Sequence, residues 1–142
     1  MFRGRYTHTV DAKGRVAIPA KFRVQLDEGA VLASWMDGCA AIFPRDSFET
    51  LAAKVAALPL ADDKARRLSR FLFSNAFDLE TDAQGRVVLP VSIREWAGLG
   101  SEALVVGQRD HVEIWNPKRW AEAQQPVGSP DDLASHLSGL VI

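Results

Sequence analysis

The sequence predicts a single α+β fold built from two similar halves. Residues 11–23, DAKGRVAIPAKFR, and residues 82–94, DAQGRVVLPVSIR, are identical at seven of thirteen positions. Each copy runs from β-forming residues through a turn into a short helical segment. The chain of 142 residues is long enough for one well-buried core and too short for two ordinary domains. We therefore expect the two halves to pack on each other as a pseudo-twofold pair.

The first half is predicted to contain a hairpin, a helix and two further strands. Residues 6–10 and 16–18 favour strands, and Asp11 and Gly14 between them suit the first and last positions of a type I turn. Pro19 ends the second strand and begins a helix that stops near Gly29. Two more strands follow at residues 30–35 and 39–43. The second half repeats this order with strands at 77–81 and 86–89, a helix at 90–97, and strands at 103–106 and 112–115.

A helical connector is predicted between the halves. Asp46 and Glu49 are spaced as an N-cap and its N3 acid, and Pro59 separates this first helix from a second that starts near Asp62. One face of the first helix carries Phe48, Leu51, Val55 and Leu58. In the second helix the residues expected to face inward are Ala65, Leu68 and Leu72, and those expected to face outward are Arg66, Arg67 and Arg70.

The composition excludes several classes of protein. No apolar run is long enough to cross a bilayer, and Arg3, Arg5 and His8 interrupt any signal peptide, so we expect a cytoplasmic protein without membrane contact. The single cysteine, Cys39, cannot form an internal disulfide or a multi-cysteine zinc site. The three histidines are scattered, without the spacing of a metal site or of a nucleophile's base. We predict no enzymatic activity, no metal and no cofactor.

Charge is distributed unevenly, although the formal net charge is only −1. Residues 1–23 hold six basic side chains against the single acid Asp11, a local charge of +5, whereas residues 120–142 carry three acids and no Lys or Arg. A basic amino-terminal end is the kind of feature that meets phosphate.

The turns do not explain the arginine that follows each of them. A β-branched residue would suit the strand better at Arg15 and Arg86. One interpretation is structural: each arginine pairs with an aspartate of its own or the partner hairpin, or covers apolar surface. The other is that Arg15 projects with Arg3, Arg5 and Lys13 as a basic surface for DNA, because guanidinium groups bind phosphate and read guanine edges.

The doubled D-x-x-G-R-x-x-x-P motif, the helical connector and the Glu113-Ile114-Trp115 strand resemble the MraZ family, which is built from two SpoVT-AbrB-type halves. The resemblance extends from Met1 to about Gln125. It implies a swapped-hairpin barrel with a helical connector and a C-terminal helix, and assembly into closed rings of identical subunits. It also implies repression at repeated promoter sites ahead of the division and cell-wall gene cluster, including the protein's own gene, and hence association with the nucleoid.

On this resemblance the motif arginine corresponds to Arg15 and Arg86. Lys13 is replaced by Gln84 in the second copy, and Arg3 and Arg5 align with Ser74 and Ala76. The candidate DNA-binding residues are therefore Arg15 for a base edge and Lys13, Arg3 and Arg5 mainly for phosphate. Arg86 is included as the second motif arginine, although its less basic surroundings favour pairing with a carboxylate of the neighbouring hairpin.

The predicted organisation has a first half at residues 5–47, a connector at 48–75, a second half at 76–119 and a loosely ordered tail at 126–142. Two other functions stay open at this point. The chain could be an AbrB-like antitoxin that neutralises a toxin through its tail, or a purely structural oligomer with no nucleic-acid role.

Overall fold

The computed structural model describes residues 1–140, in which strands and helices follow one another in an α+β arrangement. The strands are β1 (Arg5–Thr9), β2 (Arg15–Val16), β3 (Ala30–Ser34), β4 (Ala40–Pro44), β5 (Ala76–Asp78), β6 (Val87–Val88), β7 (Glu102–Gln108) and β8 (His111–Trp115). The helices are α1 (Ala20–Gln25), α2 (Arg45–Ala56), α3 (Asp63–Ser74), α4 (Val91–Ala97), α5 (Pro117–Gln124) and α6 (Pro130–Leu137). The predicted α+β class is confirmed, and the predicted strands and helices lie within a few residues of these bounds.

The first strand of each half pairs with a strand of the other half. β1 is antiparallel to β7, with Tyr6 opposite Val105, and β5 is antiparallel to β3, with Phe77 opposite Leu32. β4 pairs with β8, so six strands form one antiparallel sheet in the order β1-β7-β8-β4-β3-β5. β2 and β6 form a separate two-stranded ribbon. Both halves therefore contribute to the same sheet and to the same ribbon.

Two strand pairs have registers centred on residues that match in the repeat. Val16 lies opposite Val87 in the ribbon, and these residues occupy the same position of the two motif copies. In the sheet, Ala41 lies opposite Glu113, at the centre of the β4–β8 pair. This is the register expected of two halves that are related by a pseudo-twofold axis.

The main core lies between the sheet and the ribbon. Val16 and Val87 are almost fully buried there, together with Phe22 of α1 and Ile93 of α4, which hold equivalent positions in the two motif copies. Each short helix is thus anchored in the core by one large apolar side chain. The two helices hold the ribbon against the sheet.

The opposite face of the sheet is covered by the other helices. In the first half, Phe48 and Val55 of α2 and Leu72 of α3 pack on Val31 and Phe43. In the second half, Trp120 of α5 packs against a smaller cluster that contains Leu104 and Trp115. The four inner strands β3, β4, β7 and β8 are therefore mainly buried, whereas the edge strand β1 alternates between exposed and half-buried residues.

The strand pairing differs from the predicted hairpins. Only the closed end of each hairpin forms, where Val10 pairs with Val16 and Thr81 pairs with Val87. Beyond these points β1 bonds to β7, β5 bonds to β3, and β2 bonds to β6. The strands of residues 1–140 make an open sheet and a ribbon, without closing into one continuous barrel. The reason is the shortness of β2 and β6, which have two residues each.

Details of the connector also differ from the prediction. The N-cap of α2 is Pro44, and Asp46 lies in the first turn, because β4 runs directly into this helix. Ala65 and Leu72 are buried as predicted, whereas Leu68 is 47% exposed and Leu58 lies beyond the end of α2 with 39% exposure. α3 contacts its neighbours through a narrower face than the apolar pattern indicates.

The end of the chain contains α5, a 3-10 turn at Gln125–Val127 and α6. Ser129 caps α6, because its hydroxyl accepts a hydrogen bond from the backbone N–H of Asp132 at 3.1 Å. α6 has no buried residue. Residues 141 and 142 of the predicted tail lie outside the described residues. In residues 1–140, no helix is both long enough and apolar enough to span a membrane.

Candidate nucleic-acid interface

The two repeated turns have the same geometry. The Asp11 carboxylate accepts hydrogen bonds from the backbone N–H groups of Lys13 at 3.0 Å and Arg15 at 2.9 Å. Asp82 accepts the corresponding bonds from Gln84 and Arg86, both at 2.9 Å. The glycine of each turn donates its N–H to the aspartate carbonyl, at 2.9 Å in the first turn and 3.0 Å in the second. The predicted roles of aspartate and glycine in the turns are confirmed.

The motif arginine of each turn forms an ion pair with the aspartate of the same turn. Arg15 Nε donates to Asp11 Oδ2 at 2.6 Å, and Arg86 Nε donates to Asp82 Oδ2 at 2.8 Å. Each arginine side chain retains 30% of its exposure. The structural interpretation of the repeated arginines therefore holds for both copies, and it leaves part of each guanidinium accessible.

These contacts change the acidity of the two aspartates. The N–H of Arg15 holds the pKa of Asp11 below its ordinary value, with further contributions from the Arg15 side chain and from Lys13, and partial burial opposes the shift. The pKa of Asp82 is lowered in the same way by Arg86 and Gln84. Both carboxylates are charged at neutral pH and fix the arginines beside them.

One contact joins the two turns. Arg86 Nη1 donates to Asp11 Oδ2 at 3.5 Å, so the second-copy arginine contacts the aspartates of both turns. Within residues 1–140, Arg15 and Asp82 form no matching pair, and neither terminal nitrogen of Arg15 has a protein acceptor. The two turns thus lie side by side, and we call residues 11–15 and 82–86 the paired-turn surface.

Two further arginines reach the paired-turn surface across the boundary between the halves. Arg94 of α4 lies over Gly14, where a Cβ atom would be 2.6 Å from Arg94 Nε and 2.8 Å from the Leu89 carbonyl oxygen. Arg23, at the matching position of α1, contacts Gly85 in the same manner. Both glycines have a positive φ, 78° and 77°. Each turn therefore needs glycine for its backbone conformation and for space.

Sequence reasoning gave Arg23 and Arg94 no role. The available signal was their identity at the last position of the thirteen-residue repeat. Their placement changes the charge of the second turn, whose own segment at residues 71–94 has a local charge of −1. With Arg23 and Arg94 included, the five basic and two acidic side chains of the paired-turn surface sum to +3.

The other predicted DNA-binding residues are distributed along β1. Lys13 is exposed in the first turn, beside Arg15. Arg3 and Arg5 are also exposed, and Arg5 lies opposite Val106 at the far end of the β1–β7 pair. Thr9 lies four positions after Arg5 in the extended strand, a distance of about 13 Å. The structure therefore brings Lys13, Arg15 and Arg86 together and places Arg3 and Arg5 as a separate basic group.

Comparison with known proteins identifies the family of this chain. The family model described as "MraZ protein, putative antitoxin-like" matches the chain twice, at residues 1–71 and 72–133. The chain belongs to the MraZ family. Each of the two MraZ matches contains one complete motif copy and one of the paired turns.

The sequences of several MraZ relatives align with most or all of the chain. A protein of Roseiflexus castenholzii is 48% identical over 120 residues, which is 84% of each chain. One of Thermomicrobium roseum is 43% identical over 142 residues, 99% of this chain and 100% of the relative. One of Herpetosiphon aurantiacus is 47% identical over 143 residues and the full length of both chains. All three carry the description "Transcriptional regulator MraZ".

Proposed function

We propose that this chain is a sequence-specific transcriptional regulator that binds double-stranded DNA through the paired-turn surface. The proposal rests on the contacts of the Arg15 side chain. Its Nε donates to Asp11, while its two terminal nitrogens have no acceptor among residues 1–140. The description of the relatives as transcriptional regulators supports the same class of function.

The anchored arginine is suited to reading a base. The two terminal nitrogens of a guanidinium can donate together to guanine O6 and N7 in the major groove. Because the Asp11 carboxylate already holds Nε, little side-chain entropy remains to be lost when such a contact forms. Arg15 is therefore assigned to a base edge, and the exposed ammonium of Lys13 to a nearby phosphate.

Arg86 is assigned mainly to positioning the two turns. One of its terminal nitrogens is directed at Asp11 of the other turn, which leaves it fewer donors for a base than Arg15 has. Arg3 and Arg5 are assigned to phosphates that flank the groove, since the major groove is about 12 Å wide and β1 has a comparable length.

The proposal includes assembly into closed rings that engage repeated promoter sites. A subunit with one small basic surface makes few phosphate contacts, so tight binding requires several subunits on neighbouring repeats. DNA with a single repeat should bind at least tenfold more weakly than a spaced array, by the usual range of avidity gains. Equal affinity for the two DNAs would contradict the ring.

The proposed ring subunit has a swapped-hairpin arrangement, an open sheet with a ribbon packed on it, with halves at residues 5–47 and 76–119 and a connector at 48–75. The exchange of β1 and β5 between the halves supports this description, and so do the registers centred on Val16 and Val87. Such a regulator would act in the cytoplasm, associated with the nucleoid.

The proposed targets are the promoter of the protein's own gene and the division and cell-wall cluster that follows it, where the protein acts as a repressor. A nuclease footprint on the DNA upstream of its own gene tests this directly. We expect protection of short repeats at a regular spacing, together with reduced transcription from that promoter. Uniform protection of unrelated DNA would exclude sequence-specific regulation.

An antitoxin function is the second candidate, because the family description includes it and because α6 offers an unburied surface. α6 combines Asp131 and Asp132 with Leu133 and Leu137, which are 50% and 37% exposed. Capture of a small toxic protein by the full chain, lost when residues 130–142 are removed, would favour this candidate.

A further inference from the structure

A cavity of about 450 Å³ lies on the face of the sheet opposite the β2–β6 ribbon. β7, β8, α5 and the 3-10 turn at Met36–Gly38 form its walls. Three of the four tryptophans of the chain line it, namely Trp35, Trp115 and Trp120. The cavity is separate from the paired-turn surface, and nothing proposed above uses it.

The cavity exists because the two halves are covered differently. In the first half α3 folds back on α2, and Leu72 joins Phe48 and Val55 above the sheet. In the second half α5 ends at Gln124, and α6 has no buried residue. Beside Trp115 and Trp120 there is therefore no second helix that corresponds to α3 of the first half.

The aromatic side chains leave surface available to a ligand. Trp115 is buried and packs edge to face against Trp120, with ring centroids 5.4 Å apart. Trp35 and Trp120 are only half-buried. Indole rings carry negative potential on their faces and attract cations.

A buried carboxylate lies among these rings. Glu113 is 8% exposed, and its oxygens contact Trp115 Nε1 at 2.9 Å and His111 Nε2 at 3.0 Å. Burial raises the pKa of Glu113, but the hydrogen bonds from His111 and Trp115 and the charge of His111 outweigh it and hold the pKa below its ordinary value. Glu113 is therefore ionised at neutral pH. Its counterpart in the β4–β8 pair is Ala41, so only the second half carries this charge.

The residues that line the cavity carry more acidic than basic side chains. Asp37 adds a second carboxylate at the 3-10 turn, and His111 is the only basic side chain among the lining residues that the structure describes. Nearby Cys39 responds to these charges: burial raises the pKa of its thiol, the charges of Glu113 and Asp37 raise it further, and the charge of Arg119 partly opposes them. Two carboxylates exceed the charge of one histidine in either protonation state.

We propose that this cavity binds a small organic cation, an ammonium group with apolar substituents. The tryptophans would contact the substituents and the cation through their faces, and Glu113 and Asp37 would supply the opposite charge. Because the cavity and the paired-turn surface lie on opposite faces of the sheet, the site can be tested without DNA.

Choline and its uncharged carbon analogue, 3,3-dimethylbutan-1-ol, are the probes. Each is titrated into the full chain at constant ionic strength, and binding is followed by calorimetry and tryptophan fluorescence. We expect saturable choline binding and roughly tenfold weaker binding of the alcohol, as a desolvated cation–π contact predicts. Equal binding of the two compounds, or no saturable choline binding, would overturn the proposal.

Two variants test whether choline binds in this cavity. Trp120→Leu removes a half-buried wall, and Glu113→Gln removes the charge while keeping an acceptor for Trp115 Nε1. Each should weaken choline binding by about tenfold. Phe71→Leu is the matched control, since Phe71 is 40% exposed on α3 and does not line the cavity. If both cavity variants unfold as the wild type does on heating and bind choline with unchanged affinity, the proposed site is wrong.

Discussion

Arg86 Nη1 lies 3.5 Å from Asp11 Oδ2, so the arginine of the second motif copy contacts the aspartate of the first. Asp11 receives two arginines through the same oxygen, since Arg15 Nε is 2.6 Å from it. The two motif copies are therefore not equivalent. One arginine contacts its own aspartate only, and the other links both turns.

Arg86→Ala is expected to disturb the junction of the turns before it disturbs DNA contact. Its pairs are partly exposed, so the loss of stability should be modest, about 1 kcal/mol or less. Denaturant unfolding measures that loss, and light scattering measures the mass of the assembly. An unchanged midpoint with an unchanged mass would contradict a positioning role for Arg86.

Gly14→Ala should destabilise the fold by about 1–3 kcal/mol, because alanine is strained at this positive φ and its Cβ meets Arg94 and the Leu89 carbonyl. Gly100→Ala is the control, since no atom lies within 4 Å of a Cβ built there. We expect the control to lie within about 1 kcal/mol of the wild type. Chemical unfolding of the two variants makes the comparison, and equal stabilities would show that the turn tolerates a side chain.

Acid should weaken the paired turns. The pKa values of Asp11 and Asp82 are lowered in the folded chain from an ordinary value of 3.8, so their charged forms stabilise the fold above that pH. This stability is lost as the pH falls from 3.8 through the lowered pKa values. In the double variant Asp11→Asn, Asp82→Asn, the side-chain amide oxygens still accept the hydrogen bonds of the turns, but the negative charges are lost. Between pH 5 and about 2, the melting temperature of the double variant should fall less steeply than that of the wild type, and parallel profiles would refute the assignment.

Lys13→Ala should weaken binding to all DNA sequences alike, because we propose that its exposed ammonium contacts phosphate as a point charge. The slope of log affinity against log salt should become shallower by about one unit. Gln84→Ala is the matched control in the second turn and should leave the slope unchanged. A changed sequence preference in Lys13→Ala would instead indicate that Lys13 reads bases.

Local chemistry explains what could be predicted from the sequence. The turns follow from the side-chain preferences of Asp11 and Gly14 and their repeats, and the helix starts follow from Pro19 and Pro90. These signals lie within a few residues of the feature that they specify. The inward-facing residues of the two connector helices were also predicted, except where Leu58 and Leu68 proved exposed.

Long-range partners could not be predicted in the same way. The alternation of β1 fixes which side chains face the core, but it is equally compatible with pairing to β2 or to β7. The contacts of Arg94 with Gly14 and of Arg23 with Gly85 join residues 80 and 62 positions apart, and they depend on that pairing. The two arginines at the paired-turn surface were therefore missed, although their identity in the repeat was visible.

We propose that Arg15 contacts DNA while Arg86 positions the turns. The decisive measurement compares the affinity of Arg15→Ala and Arg86→Ala for the same operator array, with the mass of each assembly determined in parallel. Both variants lose the ion pair within their own turn, 2.6 Å in one and 2.8 Å in the other, and Arg86→Ala also loses the 3.5 Å contact with Asp11. Structural damage alone should therefore be at least as large in Arg86→Ala as in Arg15→Ala. We predict that Arg15→Ala loses about 1–3 kcal/mol of specific binding per subunit in an assembly of normal mass, and that Arg86→Ala retains DNA binding wherever it assembles. Loss of DNA binding by Arg86→Ala in an assembly of normal mass, or full DNA binding by Arg15→Ala, would contradict these two assignments.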